Sequence, residues 1–267
     1  MHTYTICISN QKGGVGKTTT AVNLAAGLAL EGAETLLIDM DPQANATSGL
    51  GINPAAQRRG IYHALIGMGE LDSLRVPAPQ IEGLSVVPAN QDLFGAEVEL
   101  VEAIAREYRL KEALDRSSYR PRFVIIDCPP SLGLLTVNAL TCANSTLIPL
   151  QCEYYALEGL SQLTRTVKLI QRRLNPKLQI EGILLTMFDT RNNLSHQVAA
   201  EARTHFGSTV FDVVIPRNVR LSESPSFGKS IYQYDRTSRG ARAYRELAKT
   251  IIARHVSQAP MQSGAMQ

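Results

Sequence analysis

The chain has 267 residues, 44% of them hydrophobic and 19% charged, an ordinary globular composition with length for one large domain or two small ones. Its cysteines, at 7, 128, 142 and 152, lack C-x-x-C spacing, which argues against a zinc site or a disulfide framework and fits buried thiols in reducing surroundings. No secretory leader is visible, no apolar stretch approaches the roughly 20 residues of a membrane span, and a net charge of +3 hides a net −6 over residues 1–164 and +9 over residues 165–255.

The first predicted element is a strand, Tyr4 to Ser9, running into Lys12-Gly13-Gly14-Val15-Gly16-Lys17-Thr18-Thr19 and then a helix over Thr20 to Leu30. Strand, glycine loop and helix in that order form a phosphate cradle. Glycines let successive backbone N–H groups turn toward one point, and the helix N-terminus adds unpaired donors. Lys17 can reach the β- and γ-phosphates, and the Thr18 hydroxyl can ligate Mg²⁺. The ordinary P-loop pattern has a glycine where this chain has Gln11, and a second lysine, Lys12, stands at the loop's entrance.

Glu34 to Asp39 is the next strand, followed by Met40-Asp41-Pro42-Gln43-Ala44-Asn45. A Gly- and Pro-rich stretch, about 49–82, holds a short helix at Ile61 to Ile66. Leu84 to Pro88 reads as a strand. Glu97 to Leu114 has helical spacing, with Val98, Val101, Ile104, Ala105 and Tyr108 on one side. Strands follow at Phe123 to Asp127, Ser145 to Pro149, Glu181 to Phe188 and Val210 to Ile215. Helices are expected at Leu157 to Leu174, Ser195 to Phe206 and Ser238 to His255. Strands alternating with helices, several of them continuous apolar runs, predict an α/β fold: a doubly wound, mostly parallel sheet with helices on both faces. No linker splits the chain. Residues 1–256 are expected to form one P-loop ATPase domain and 257–267 a disordered tail.

Ligands of an open α/β sheet bind beyond the carboxyl ends of its strands, where Asp39, Asp41 and Asp127 stand. Each could merely cap a turn. Beside a P-loop, Asp127 occupies the position that holds Mg²⁺ directly or through water. Cys128-Pro129-Pro130-Ser131-Leu132-Gly133 then makes a defined loop suited to sensing the γ-phosphate. Asp41 can orient or deprotonate the attacking water and join the metal site. The basic C-terminal third is either a solvated surface or a polyanion-binding face.

These segments resemble the ParA/Soj family of chromosome- and plasmid-partitioning ATPases, of the deviant Walker A class that also contains MinD. The motifs are Lys12 to Thr19, Asp39-Met-Asp-Pro-Gln-Ala-Asn-Ala-Thr and Asp127-Cys-Pro-Pro-Ser. Met187 to Arg191, Ile215 to Lys229 and Tyr234 to Gly240 extend the likeness, so that it runs from Thr3 to about Ile252. The usual Ser-Glu-Ala-Pro-Ser-His reads Ser-Glu-Ser-Pro-Ser-Phe here. The resemblance implies ATP and Mg²⁺ as cofactors and catalytic roles for Lys12, Lys17 and Asp41. By the same resemblance Lys12 would be the lysine that crosses a nucleotide-sandwich homodimer to the partner's phosphates. Residues 12–19 with Pro216 and Asn218 would bind the nucleotide, and Thr18, Asp41 and Asp127 would serve the metal. Arg191 and Arg220, with Arg217, Lys229, Arg236 and Arg239 as weaker candidates, would bind double-stranded DNA without sequence preference. The resemblance further implies a ParB/Spo0J-like centromere-binding protein that stimulates hydrolysis, and a cytoplasmic protein that is nucleoid-associated when ATP-bound.

There are three rival readings, the first of them from the same deviant Walker A class. A MinD-type membrane-cycling division regulator should end in a basic amphipathic helix, and Ala259 to Gln267 has no charge. A nitrogenase-type iron protein would need bridging cysteines in a different setting from Cys128-Pro129-Pro130. A binding module without hydrolysis would lack Asp41 and Thr18.

Overall fold

A computed structural model describes residues 3–153 and 156–256. The expectation of a disordered tail at 257–267 lies outside them. Seven strands form one sheet: β1 (Tyr4–Ile8), β2 (Thr35–Asp39), β3 (Val76–Pro77), β4 (Leu84–Val87), β5 (Phe123–Asp127), β6 (Ser145–Gln151) and β7 (Gln179–Thr186). Their spatial order is β3-β4-β2-β5-β1-β6-β7. Every pairing is parallel except β3 against β4. The longer helices are α1 (Lys17–Leu30), α2 (Arg109–Arg116), α3 (Leu134–Cys142), α4 (Ala156–Arg173), α5 (Asn193–Phe206) and α6 (Arg239–Val256).

Alternation along the central strands feeds two cores. Ile6 and Ile8 of β1, Leu37 of β2 and Ile125 of β5 face Leu24 and Leu28 of α1 and Tyr244, Leu247 and Ile251 of α6. Cys7, Ile38, Val124 and Ile126 face the other way, onto Leu65, Leu93, Leu110, Leu135 and Leu140. A third cluster joins β6 and β7 to Leu160, Leu163 and Val198. Strands covered on both faces explain the unbroken apolar runs in the sequence. Burying each large aliphatic side chain is worth about 1.5–3 kcal/mol, which makes these two-sided layers the main stabilising term. Gly182 of β7 is required by close approach: a Cβ there would lie 2.4 Å from the ring of buried Phe211.

Two predicted elements differ. The helix expected over Glu97 to Leu114 is broken into a helix Leu93–Glu99, 3₁₀ turns Leu100–Glu102 and Arg106–Tyr108, and α2. Ala105 takes a left-handed conformation, φ 54°, which an α-helix cannot carry. Its inward stripe is Leu93, Ala96 and Leu100; Val98, Val101 and Ile104 point out. The strand expected at Val210 to Ile215 is an irregular run beside β7. Among the described residues it makes one isolated bridge, Ile183 to Val210, and a second, Phe188 to Pro216, follows just past its end. Phe211 N–H donates to Ile183 and Ile215 N–H to Leu185, at 2.9 and 2.8 Å, without a continuous ladder.

Candidate active site

Register places the acids. Ile8 of β1 is level with Asp127 of β5, and Asp127 is level with Asp39 of β2. Both carboxylates therefore end adjacent strands beside the point where the chain leaves β1 for the glycine loop. That loop has Gly14 at φ 75° and Gly16 at φ 89°, left-handed conformations that glycine adopts without strain. Gly16 caps α1 with no side chain on the helix N–H groups, which leaves them as anion donors. Around it, Thr186 Oγ1 donates to Val15 O at 2.8 Å, and the Lys12 amide donates to Asn10 Oδ1 at 3.0 Å.

The two lysines sit differently. Lys17 is 7% exposed, and its Nζ donates to the Lys12 carbonyl at 2.9 Å. Burial pushes its pKa down, against the attraction of Asp127, Cys128 and Asp41. Lys12 reaches outward and pairs with Glu153, both side chains about half exposed. A pair so wet contributes little and does not lock the lysine in place.

Asp127 is fully buried, and neither of its carboxylate oxygens has a hydrogen-bond partner among the described residues. Burial, reinforced by Asp39, holds its pKa well above the ordinary carboxylate range; Asp41 adds to this, and Thr18 and Lys17 oppose it. Asp39 is also fully buried but well satisfied. Its Oδ1 accepts from the Asp41 amide at 3.1 Å, and its Oδ2 from Thr47 N–H and Oγ1 at 2.8 and 2.7 Å. Burial nevertheless lifts its carboxyl to about 6, with Asp41 adding to the rise. Asp41 is 7% exposed, and its Oδ1 accepts from Gln43 N–H at 3.0 Å.

An unpartnered buried carboxylate fits a cation. Among the described residues no three Asp, Glu, His or Cys side chains converge as a closed metal cage. That suits Mg²⁺, which binds through one or two carboxylates, water and phosphate oxygens rather than an all-protein shell. Thr18, Asp41 and Asp127 are the residues expected from the sequence to serve it.

A cavity of about 580 Å³ opens beside the loop, lined by Gly16, Thr19, Thr186, Pro216 and Asn218 among others. Of the residues expected at the nucleotide, Gly16 and Thr19 of the loop thus share one space with Pro216 and Asn218. Asn218 Oδ1 caps the short helix Val219–Glu223 through Arg220 N–H, at 2.8 Å. Arg191 and Arg217, with Arg239, border a shallow depression next to Pro216. Arg191 is 86% exposed and forks onto Asp189, with Nε and Nη2 at 3.1 and 3.0 Å from its oxygens. Arg220 lies apart from that depression, paired with Glu223 at 2.9 Å and Asp235 at 3.6 Å, and Lys229 is exposed. Asp39 was legible as an acid ending a strand, but its hold on Thr47 was not. Thr186 carried no signal, because only the pairing of β6 with β7 brings it to the loop.

A doubly wound parallel sheet with a glycine loop after its central strand and an acid ending the neighbouring one defines a P-loop nucleotide-hydrolase fold. The pattern of an AAA-domain family matches residues 3–180. The chain is 57% identical over 255 residues to the chromosome partitioning protein ParA of Myxococcus xanthus, covering 96% of this chain and 90% of that one. It is 56% identical over 248 residues to the sporulation initiation inhibitor protein Soj of Bacillus subtilis, covering 93% and 98%. A solved structure of cobyrinic acid a,c-diamide synthase from Mycobacterium smegmatis, with a bound ATP analogue and magnesium, superposes with a TM-score of 0.84 at 37% identity. That match covers 97% of this chain and 98% of the other. The chain belongs to the ParA/Soj family of partitioning ATPases. Among the described residues no helix is long and apolar enough to cross a membrane.

Proposed function

We propose that this chain is an ATP-driven DNA-segregation protein, with residues 1–256 acting as one ATPase domain. The observation that carries the reading is Asp127, a fully buried carboxylate whose oxygens make no hydrogen bond of ordinary geometry among the described residues, with the Thr18 hydroxyl near enough to favour its charged form, in register with the strand that feeds the glycine loop. It gives that site a reason to exist only when a cation and phosphates fill it. The relatives named for chromosome partitioning supply the biological setting. The magnesium and ATP analogue bound by the M. smegmatis protein support the choice of cofactors.

In this reading, residues 13–19 wrap the phosphates with backbone N–H groups, and Lys17 exchanges its bond to the Lys12 carbonyl for the β- and γ-phosphates. Thr18 and Asp127, with Asp41 nearby, would hold Mg²⁺, which would supply positive charge against the phosphates. Asp41, oriented through its amide by Asp39, positions the attacking water. Pro216 and Asn218 hold the base, with the Asn218 amide NH₂ as donor. Lys12 leaves Glu153 and reaches the phosphates of a second copy, so ATP closes a homodimer. Closure lines up the arginine faces of two copies. Arg191, Arg220, Arg217 and Lys229 then read DNA phosphates, which fixes position without reading sequence. A ParB-like centromere-binding partner accelerates hydrolysis, and the ADP form returns to monomer and leaves the nucleoid for the cytoplasm.

The test uses Asp41→Ala. The variant should bind ATP, dimerise by light scattering and stay on unrelated DNA duplexes without turnover. A variant that hydrolyses ATP at the wild-type rate removes Asp41 from the chemistry.

A further inference from the structure

Ten large apolar side chains are exposed among the described residues, and four of them lie within eleven positions: Phe94, Val98, Val101 and Ile104, at 52, 75, 55 and 89% exposure. The cause is local. Leu93, Ala96 and Leu100 take the inward stripe of the helix Leu93–Glu99 and its 3₁₀ continuation. Phe94, Val98 and Val101, spaced i, i+4 and i+7, therefore form a second apolar stripe on the outside. Each such side chain left in water forgoes about 1.5–3 kcal/mol of burial, and contiguous exposed patches of this kind mark interaction surfaces.

The ledge is acidic. The thirty residues from Val76 to Ala105 contain Glu82, Asp92, Glu97, Glu99 and Glu102 and neither Lys nor Arg; the one guanidinium hydrogen-bonded to the ledge among the described residues, that of Arg106 on the Val101 carbonyl, is paired with Glu107. Asp92, Glu99 and Glu102 are exposed. The ledge also touches both loops that carry the catalytic acids. A groove of about 550 Å³ runs from Asp92 and Phe94 to Pro42, Gln43 and Ala44, directly after Asp41; among the described residues Arg58 is its one basic lining residue. Glu97 lies over the loop after Asp127, so close that a Cβ on Gly133 would be 2.4 Å from its Oε1.

We propose that this ledge docks a basic amphipathic segment of the activating partner, apolar side chains on Phe94, Val98, Val101 and Ile104 and Lys or Arg beside Glu99 and Glu102. The proposal rests on the partner-stimulated ATPase reading above. A second copy of this chain is the poorer occupant: a two-fold contact would set the acidic patch against itself. An occupant here bears on Pro42–Ala44 and on the loop through Gly133 together, which gives binding a route to the hydrolytic site.

The experiment measures phosphate release by full-length protein against increasing concentrations of the purified ParB-like partner. It compares wild type, the triple variant Val98→Ser/Val101→Ser/Ile104→Ser and Glu102→Lys. These positions are exposed, so thermal midpoints should match wild type. Unstimulated turnover and ATP-dependent DNA binding should also be unchanged. The half-maximal partner concentration should rise at least tenfold for the triple variant and severalfold for Glu102→Lys. Stimulation of both variants within twofold of wild type overturns the ledge while leaving the ATPase reading intact. No stimulation of wild type overturns that reading and the ledge with it. Loss of the ATP-dependent dimer in the triple variant, by light scattering, assigns the ledge to a second copy and overturns the proposal.

Discussion

Replacing Asp127 by asparagine should make the nucleotide-free protein more stable while destroying its response to Mg·ATP. Asp127 is buried with neither oxygen hydrogen-bonded among the described residues, and burial holds its pKa well above 3.8. An acid shifted in this direction contributes its stability in full below the unfolded pKa and loses it as pH rises toward the folded one. The loss is bounded, because the folded protein can always keep the proton. From 3.8 to pH 7 that bound is about 1.4 kcal/mol per unit over roughly three units, or about 4 kcal/mol. At pH 4.5 it shrinks to about 1 kcal/mol by the same rule. The attraction of Lys17 lowers the penalty within the bound. An asparagine side chain has nearly the same shape and no charge, so the Asp127→Asn variant should gain about 1–4 kcal/mol at pH 7, with a melting midpoint higher by several degrees. Thermal melts in EDTA at pH 7 and 4.5 measure this, and a parallel pair with Mg·ATP should raise the wild-type midpoint only. A variant no more stable than wild type at pH 7, or a gain of the same size at pH 4.5, would refute the account of Asp127 as an uncompensated buried carboxylate.

Other expectations follow from single contacts. Lys17→Ala removes the cation nearest the cradle and should abolish ATP binding; calorimetry showing affinity within a few-fold of wild type would exclude Lys17 as the cradle lysine. Asp41→Ala should slow hydrolysis about 10²–10⁴-fold in single-turnover phosphate release, the usual loss when a positioned base is removed. Gly182→Ala drives a Cβ into Phe211 and should cost about 1–3 kcal/mol by overpacking, read by urea denaturation with an unchanged slope. Arg191→Ala and Arg220→Ala should each lower the log–log salt slope of DNA binding by about one unit per lost phosphate contact. Wild-type binding by both arginine variants would move the DNA face elsewhere.

Strands were the easiest elements to foresee, since Phe123 to Asp127 and Leu36 to Ile38 are covered on both sides and carry unbroken apolar runs. The glycine loop was legible because its conformation is set locally, by Gly14 and Gly16 at positive φ. The segment 93–105 misled because it has two apolar stripes of the same helical period. Only the core decides that Leu93, Ala96 and Leu100 go inward, and nothing about an alanine announces the left-handed turn at Ala105. Val210 to Ile215 has strand composition, but it meets β7 through Phe211 packed over Gly182, one isolated bridge and two separate backbone hydrogen bonds rather than a ladder.

What the chain order concealed most completely was the pairing of the acids. Asp39 and Asp127 are 88 positions apart, and only the parallel register of β2 with β5 sets them level on adjacent strands. Two buried carboxylates side by side are unfavourable, and after burial itself the charge of Asp39 is what raises the pKa of Asp127. The protein resolves this unequally. Asp39 is satisfied by Thr47 and the Asp41 amide, while Asp127 is left with no partner among the described residues. One acid therefore shapes the loop that carries Asp41, and the other is kept available. The hydroxyl of Thr47 also accepts from Ala89 N–H at 3.0 Å, which ties that loop to the end of β4 and so to the segment leading into the exposed ledge. Removing that link with Thr47→Val should leave ATP binding intact but slow hydrolysis, because Asp39 Oδ2 then loses one of its two donors and keeps only the backbone N–H of residue 47. Single-turnover phosphate release is the measurement. A rate equal to wild type would show that Asp41 is held by its own turn through Gln43, and that the buried Asp39 matters to the fold alone.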